Sequence, residues 1–346
     1  MDELVYFYPE GHSTHFEQGH PERPERVEVL RQALEAAGWW QGFLHLAPLN
    51  LPPDLLASIH TQEYLTLLQF ACQRGSHLDM DTYTTTTSWQ LALNAAGGAA
   101  AVAGEVWRGA ARRGLALSRP PGHHAMSDRG MGFCLLNNIA LAAEYLLHLP
   151  VTVAPRAVRM AIVDLDLHHG NGTQEIFWER DDVLYISTHQ SPLYPGTGGL
   201  DERGSGAGAG LTANFPLPPL TGDQGFGVVM DELILPLLSR YTPQMVLVSF
   251  GFDPHWRDPL GNLCLTGPGI YRLINSLVKW TDQNAGGKLV LCLEGGYDLE
   301  AGRSSILAAT AALLGEDWTD EQDVPPYPEG MAWQSVVGAA RQIWSL

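Results

Sequence analysis

The run Ala161-Ile162-Val163-Asp164-Leu165-Asp166-Leu167-His168-His169-Gly170 limits what this chain can fold into more than any other. It opens apolar and β-branched, without alternation. That pattern suits a strand covered on both faces in a parallel sheet. Open α/β sheets build their sites at the carboxyl ends of such strands, and this one ends in carboxylates and imidazoles. Asp166 and His168 are two apart, so an extended backbone turns them to the same side. One oxygen and one nitrogen ligand facing the same way suit a zinc-like divalent cation. The competing reading, buried carboxylates capped by main chain, is weaker because an ionised aspartate is costly to bury without a partner.

The apolar pattern recurs at Val5–Tyr8, Leu115–Leu117, Met160–Leu165, Val183–Ser187, Leu211–Phe215, Met245–Phe250 and Leu289–Leu293. Helix-period segments lie between most of these strands. Val27, Leu30 and Leu34 trace one face after a Pro24-Glu25 start, which suits a helix N-terminus. Gln90–Val106, Leu135–Leu147, Val228–Leu238 and Ile270–Trp280 read the same way. Strand and helix alternating over residues 1–346 predict one α/β domain. It has a mostly parallel sheet of about eight strands, with helices on both faces. The Gly-rich segment Gly196–Gly210 reads as a surface loop.

A formal charge of −18 and the absence of any Lys/Arg-rich run argue against nucleic-acid binding. Cys72, Cys134, Cys264 and Cys292 form no CxxC pair, which reads as reduced thiols in a cytoplasm. The start Met1-Asp2-Glu3-Leu4 has no secretion-signal pattern, and no apolar run reaches membrane-spanning length. A soluble, cytoplasmic protein is expected, with no signal for an oligomeric state.

Three further strands run into Gly-flanked loops that display reactive side chains. After Leu115–Ser118 comes Arg119-Pro120-Pro121-Gly122-His123-His124, after Met245–Phe250 comes Gly251-Phe252-Asp253, and after Leu289–Leu293 comes Glu294-Gly295-Gly296-Tyr297. Adjacent histidines point differently, so His123 and His124 suit two imidazoles beside an activated water better than twin ligands. Asp253 supplies a third ligand, with His255 as its rival. Two carboxylates and one imidazole leave a tetrahedral zinc one open position. Tyr297 is then a phenol donor for an oxyanion.

These motifs, together with Gly132-Phe133-Cys134, the continuation Asn171-Gly172-Thr173 and Pro195-Gly196-Thr197-Gly198, resemble the zinc-dependent histone deacetylase family. The likeness is closest to class II deacetylases and their bacterial relatives, including acetylpolyamine amidohydrolases. It runs in order from His20-Pro21-Glu22-Arg23 past Tyr297. The resemblance implies the arginase/deacetylase fold and one Zn2+ (or Fe2+) on Asp166, His168 and Asp253. It also implies Tyr297 as the carbonyl-polarising phenol, and His123 and His124 as tandem imidazoles backed by Asp164 and Asn171. Asn171 is Asp in class I members, so the second imidazole should be less readily protonated here.

By the same resemblance Phe133 and Tyr194 wall the substrate channel, along with Gly132, Gly295 and Leu260. Relatives usually have Phe in place of Tyr194. Arg26 would line an inner cavity where acetate leaves. Family potassium sites map onto Asp164, Asp166, His168, Ser187 and Thr188, and onto main chain near Phe177, Arg180, Val183 and Leu211. Asp81 or Thr82 would hold the substrate from the rim. Polyamine-selective relatives carry Glu where Leu260 stands, so an acyl-lysine in a protein or peptide is expected, with small acetylated amines as the alternative. An arginase-type two-metal hydrolase needs a carboxylate at Gly170, which has no side chain. A non-catalytic acyl-lysine binder fits poorly with a complete ligand set and Tyr297 in place.

Overall fold

Eight strands form a single sheet in which every pairing is parallel: β1 (Asp2–Phe7), β2 (Leu44–Leu46), β3 (Ala111–Ala116), β4 (Met160–Asp164), β5 (Val183–Gln190), β6 (Thr212–Leu217), β7 (Val246–Phe250) and β8 (Leu289–Leu293). Their spatial order is β2-β1-β3-β8-β7-β4-β5-β6. The structure, a computed structural model, describes residues 2–149 and 157–346.

Strands β4, β5, β7 and β8 are buried along their whole length, which explains their continuous apolar runs. Alternate residues feed two cores. Ala161, Val163, Leu289 and Leu291 face one layer, while Ile162, Leu247 and Val290 face the other. Helices Glu25–Ala36, Gly267–Asn284 and Leu299–Leu314 pack together on the first face. Ser88–Arg108 and Asn138–Leu147 pack against each other on the second. Gly97 and Gly98 let the long helix press close, since a Cβ there would run into the Leu49 carbonyl and the Phe7 ring.

Register fixes where the site lies. Asp164 stands beside Ser249, Ser249 beside Cys292, and Cys292 beside Ala116. The carboxyl ends of β4, β7, β8 and β3 therefore finish level, so the loops after them share one rim.

The sheet and the five expected helices are present, with three differences. The edge strand β2 is only three residues long, too short to show a period. The helix expected from Leu135 begins at Asn138 because the Asn137 side chain accepts the Ala140 N–H at 3.0 Å and caps it. The segment around Val228–Leu238 contains a π-helical turn, Met230–Ile234, just before Pro236, which lacks the N–H a regular turn would use. Helices Pro53–Ile59, Gln62–Arg74, Asn171–Phe177, Leu299–Leu314 and Trp333–Trp344 were not expected from periodicity. Among the described residues no helix is long and apolar enough to cross a membrane.

Candidate active site

Strand β4 stops at Asp164, and the chain bends through Leu165–His168 instead of continuing extended. Side chains hold the bend. The Asp166 N–H donates to Asp164 Oδ1 at 3.2 Å, the His168 N–H to Asp166 Oδ1 at 2.9 Å, and the Leu167 N–H to Asp253 Oδ1 at 3.1 Å. Asp166 and His168 do converge, but through carboxylate–amide turns, not through the period of an extended strand.

Ligand atoms of Asp166, His168 and Asp253 all lie within 4.8 Å of one another, and all three residues are buried. His168 Nδ1 stands 3.3 Å from Asp166 Oδ1 and 3.3 Å from Asp253 Oδ2. That second oxygen is buried with no hydrogen-bond partner, and a buried orphan carboxylate oxygen costs free energy unless a cation meets it. Burial opposes charge on His168, but its contacts with Asp166 and Asp253 outweigh it and raise the imidazole to about 9. The cluster is thus a pocket that favours positive charge. Its O,N,O donor set suits a borderline divalent ion such as zinc.

Glycines clear the surroundings. A Cβ at Gly251 or at Gly295 would overlap the Asp166 and Asp253 carboxylates. The Gly295 N–H donates to Asp166 Oδ2 at 2.8 Å, so Gly295 lies directly against the Asp166 and Asp253 carboxylates. A Cβ at Gly170 would overlap Asp164 Oδ2, leaving no room for the carboxylate a two-metal arginase site requires. His255, the rival ligand, is held elsewhere, with Nε2 2.8 Å from Asp323 Oδ2.

His123 and His124 lie beside the cluster, their ring centroids 4.0 Å apart. His123 Nδ1 is 3.1 Å from Asp164 Oδ2, and His124 Nδ1 is 2.8 Å from Asn171 Oδ1. Burial opposes charge on His123, yet Asp166 and Asp164 raise it to about 10. His124 is driven the other way, well below the ordinary imidazole value, by burial and then by His123 and His168. The surroundings of the pair thus favour the proton on His123 and disfavour it on His124.

Tyr297 is buried, and burial holds its phenol well above the usual value, so it stays a donor. Its ring meets Phe133 edge-on at 5.7 Å. Tyr194 meets His124 and His168 edge-on at 5.2 and 6.2 Å, and is 39% exposed. Phe133 thus packs beside Tyr297, and Tyr194 beside His124 and His168. Phe133 has φ 68° and follows Gly132 at φ 55°, a left-handed pair that a non-glycine enters at a cost. The Thr82 hydroxyl steadies it by accepting the Phe133 N–H at 3.2 Å.

Thr82 is therefore buried and engaged, and Asp81 is the exposed residue of the two. The Asp81 carbonyl lies 3.0 Å from His20 Nε2, and the His20 ring packs on Phe133. Leu260 is half-buried against the core, its N–H donating to Asp258 Oδ1 at 3.0 Å. Arg26 is fully buried, with its guanidinium 4.8 Å from the Tyr297 ring centroid. Ser187 Oγ is 2.9 Å from His189 Nδ1, and the Thr188 hydroxyl donates to the Asp164 carbonyl at 3.4 Å.

Four supporting residues were not assigned from the sequence. Glu22 bridges Arg26 and Arg119, Glu294 Oε2 accepts the Gly122 and His123 N–H groups at 2.6 and 3.0 Å, Asp258 accepts the Tyr297 N–H, and the Tyr185 hydroxyl sits 3.1 Å from Asp164 Oδ2. Two of them, Glu22 and Glu294, stand inside motifs already singled out, and a carboxylate among Gly and Pro there is the available signal.

Comparison with known proteins agrees with this geometry. The histone deacetylase domain model matches residues 20–313. A probable deacetylase of Archaeoglobus fulgidus is 39% identical over 91% of this chain and 87% of its own. Histone deacetylase 14, chloroplastic, of Arabidopsis thaliana is 38% identical over 90% of this chain and 77% of its own. A histone deacetylase-like amidohydrolase of Pseudomonas aeruginosa is 38% identical over 81% of this chain and 73% of its own. The crystal structure of the HDA15 HD domain superposes with TM-score 0.88 at 35% identity, covering 99% of this chain and 95% of that one.

Proposed function

The chain belongs to the histone deacetylase family, and from that membership we propose that it hydrolyses the amide of an acyl-lysine side chain in a peptide or protein. The observation that carries the reading is the buried cluster of Asp166, His168 and Asp253, with the imidazole pair beside it and a protonated phenol nearby. These three residues would hold one divalent ion. When bound, that ion polarises a carbonyl and lowers the pKa of water towards ~7.

The chain's own groups do the rest. The Asn171 carbonyl oxygen accepts from His124 Nδ1–H and so leaves Nε2 free to take the water's proton. The imidazolium formed then gives that proton to the leaving amine. Tyr297 donates its phenolic proton in a hydrogen bond to the carbonyl oxygen as negative charge builds there. Phe133 and Tyr194 hold the lysine's methylene chain between two rings. A potassium ion near Asp164, Ser187 and Thr188 would stiffen the loop after β4.

One feature favours acyl-lysine over a small acetylated amine: Leu260 brings no carboxylate to meet a distal ammonium. The test is kcat/KM on acetyl-lysine peptides, acetylpolyamines and longer acyl-lysines. Peptide substrates should lead, whereas binding without release of acid from any of them would sink the hydrolase reading.

Two variants examine the roles. Tyr297→Phe should fold and keep its metal, yet lose about 10²–10³ in kcat, the usual loss for one oxyanion donor. Asn171→Asp places a negative charge behind His124 and stabilises its imidazolium. Its pKa therefore rises, more of it is protonated at a given pH, and the acid limb of the kcat/KM profile moves to higher pH. A profile that stays in place would remove His124 from the role of base.

A further inference from the structure

The peptide unit that delivers Tyr297 is gripped on its two edges by buried ionisable side chains. Its carbonyl, from Gly296, accepts Arg26 Nε. Its N–H, from Tyr297, donates to Asp258 Oδ2 at 2.6 Å. Both groups are buried, and each is anchored behind. Arg26 donates to Glu22 Oε1 at 2.9 Å and to the Glu294 carbonyl at 2.6 Å. Asp258 also accepts the Asp298 N–H at 3.3 Å and the Leu260 N–H at 3.0 Å.

The restraint answers a local need. Gly296 has φ 115°, a conformation L side chains rarely adopt, and a Cβ there would strike the Phe252 ring. Glycine makes this tight turn possible but leaves the backbone soft, so the phenol's position must be imposed from outside. The Asp258 carboxyl on the N–H and the Arg26 guanidinium on the C=O hold the peptide at both ends. The Arg26 bond is charge-assisted, the stronger kind. Burial and Asp253 raise the Asp258 carboxyl to about 7, so its hold rests on the short, buried hydrogen bond.

We propose that Asp258 is a positioning residue for the phenol, fixing Tyr297 by clamping the Gly296–Tyr297 peptide against Arg26. The inference rests on the proposed role of Tyr297. Through its second oxygen the same carboxylate sets the segment that carries Leu260, so the phenol and that loop share one anchor.

A double-mutant cycle of Asp258→Asn and Tyr297→Phe tests this, read as kcat and KM separately with metal content measured alongside. Asp258→Asn should lower kcat by about 10²-fold, the scale of a 1 Å misplacement, with KM and metal content near those of the parent. In the Tyr297→Phe background the same change should cost less than about threefold, because residues acting as one unit are not additive. An equal loss in both backgrounds, or an unaltered kcat in the parent, overturns the proposal. Should the amide variant not fold, Asp258→Ser keeps an acceptor in less volume and enters the same cycle. Failure of both to fold assigns Asp258 to the fold and also overturns it. Full turnover in Tyr297→Phe alone would instead remove the phenol's role, a result distinct from any outcome of the Asp258 arm.

Discussion

Dialysis against a strong chelator is expected to abolish acyl-lysine hydrolysis, and one equivalent of Zn2+ per chain to restore it. The basis is electrostatic. Asp166 and Asp253 are buried carboxylates, His168 lies between them, and one oxygen of Asp253 has no hydrogen-bond partner. Without a cation, burial and the Asp166 charge raise Asp253 to about 6, the sign of a pair that resists holding two negative charges. A divalent ion removes that conflict and displaces the proton on His168, so affinity should weaken as pH falls. Binding the folded chain alone should also stabilise it, by about 2.7 kcal/mol at a free-ion concentration 100 times Kd. Metal analysis, turnover and a melting curve check the same point independently. A stripped chain with full activity and an unshifted melt would remove the metal from the mechanism.

The second large effect concerns stability. Glu22→Gln should cost about 3–5 kcal/mol, the range for breaking a buried ion pair by removing one partner. Glu22 is fully buried, with Arg26 NH1 2.9 Å from Oε1 and Arg119 reaching both oxygens at 2.7 and 2.9 Å. The amide leaves two buried guanidinium groups without a counter-charge. Burial opposes the Glu22 charge, but Arg119 and Arg26 outweigh it and hold the carboxyl at about 2, against an ordinary 4.5. A depressed folded pKa contributes stability above the unfolded pKa and loses it as pH falls through the folded one. The gap between parent and variant should therefore be full above about pH 4.5 and narrow towards pH 2. Urea melts at several pH values measure it, and a gap independent of pH would assign the cost to packing alone.

Much of this could be read in the residues. Continuous apolar runs such as Val246–Phe250 and Leu289–Leu293 betray strands covered on both faces, and the reactive loops after them follow directly. Three-residue β2 offers no period to detect. The helix Leu299–Leu314 is rich in alanine and small residues, so its buried face scarcely differs in apparent hydropathy from its exposed one. In the site, the convergence of the candidate ligands was legible from motif order, and the contacts behind His123 and His124 from the family resemblance. The Asp166–His168 convergence was legible but for a different cause, since local carboxylate–amide turns replace the extended strand there. The duties of Asp258 and Glu294, and the bond of Glu22 to Arg119, were hidden, because each acts on backbone atoms or charges contributed by residues far along the chain. Sequence spacing carries no trace of a bond between Glu22 and Arg119 or between Asp258 and the Tyr297 amide.

Strand β8 comes last in the chain yet lies between β3 and β7 at the middle of the sheet. Until it inserts, β3 and β7 have no hydrogen-bonding neighbour between them, and the two halves cannot join. The same insertion carries Tyr297 to the rim. On the proposed mechanism a nascent chain therefore stays inert until this keystone is seated, since synthesis must pass residue 297 before the phenol can join the site. Truncations that spare every ligand but end before Leu289 should leave a split sheet, whereas trimming near the final helix, Trp333–Trp344, spares the join itself.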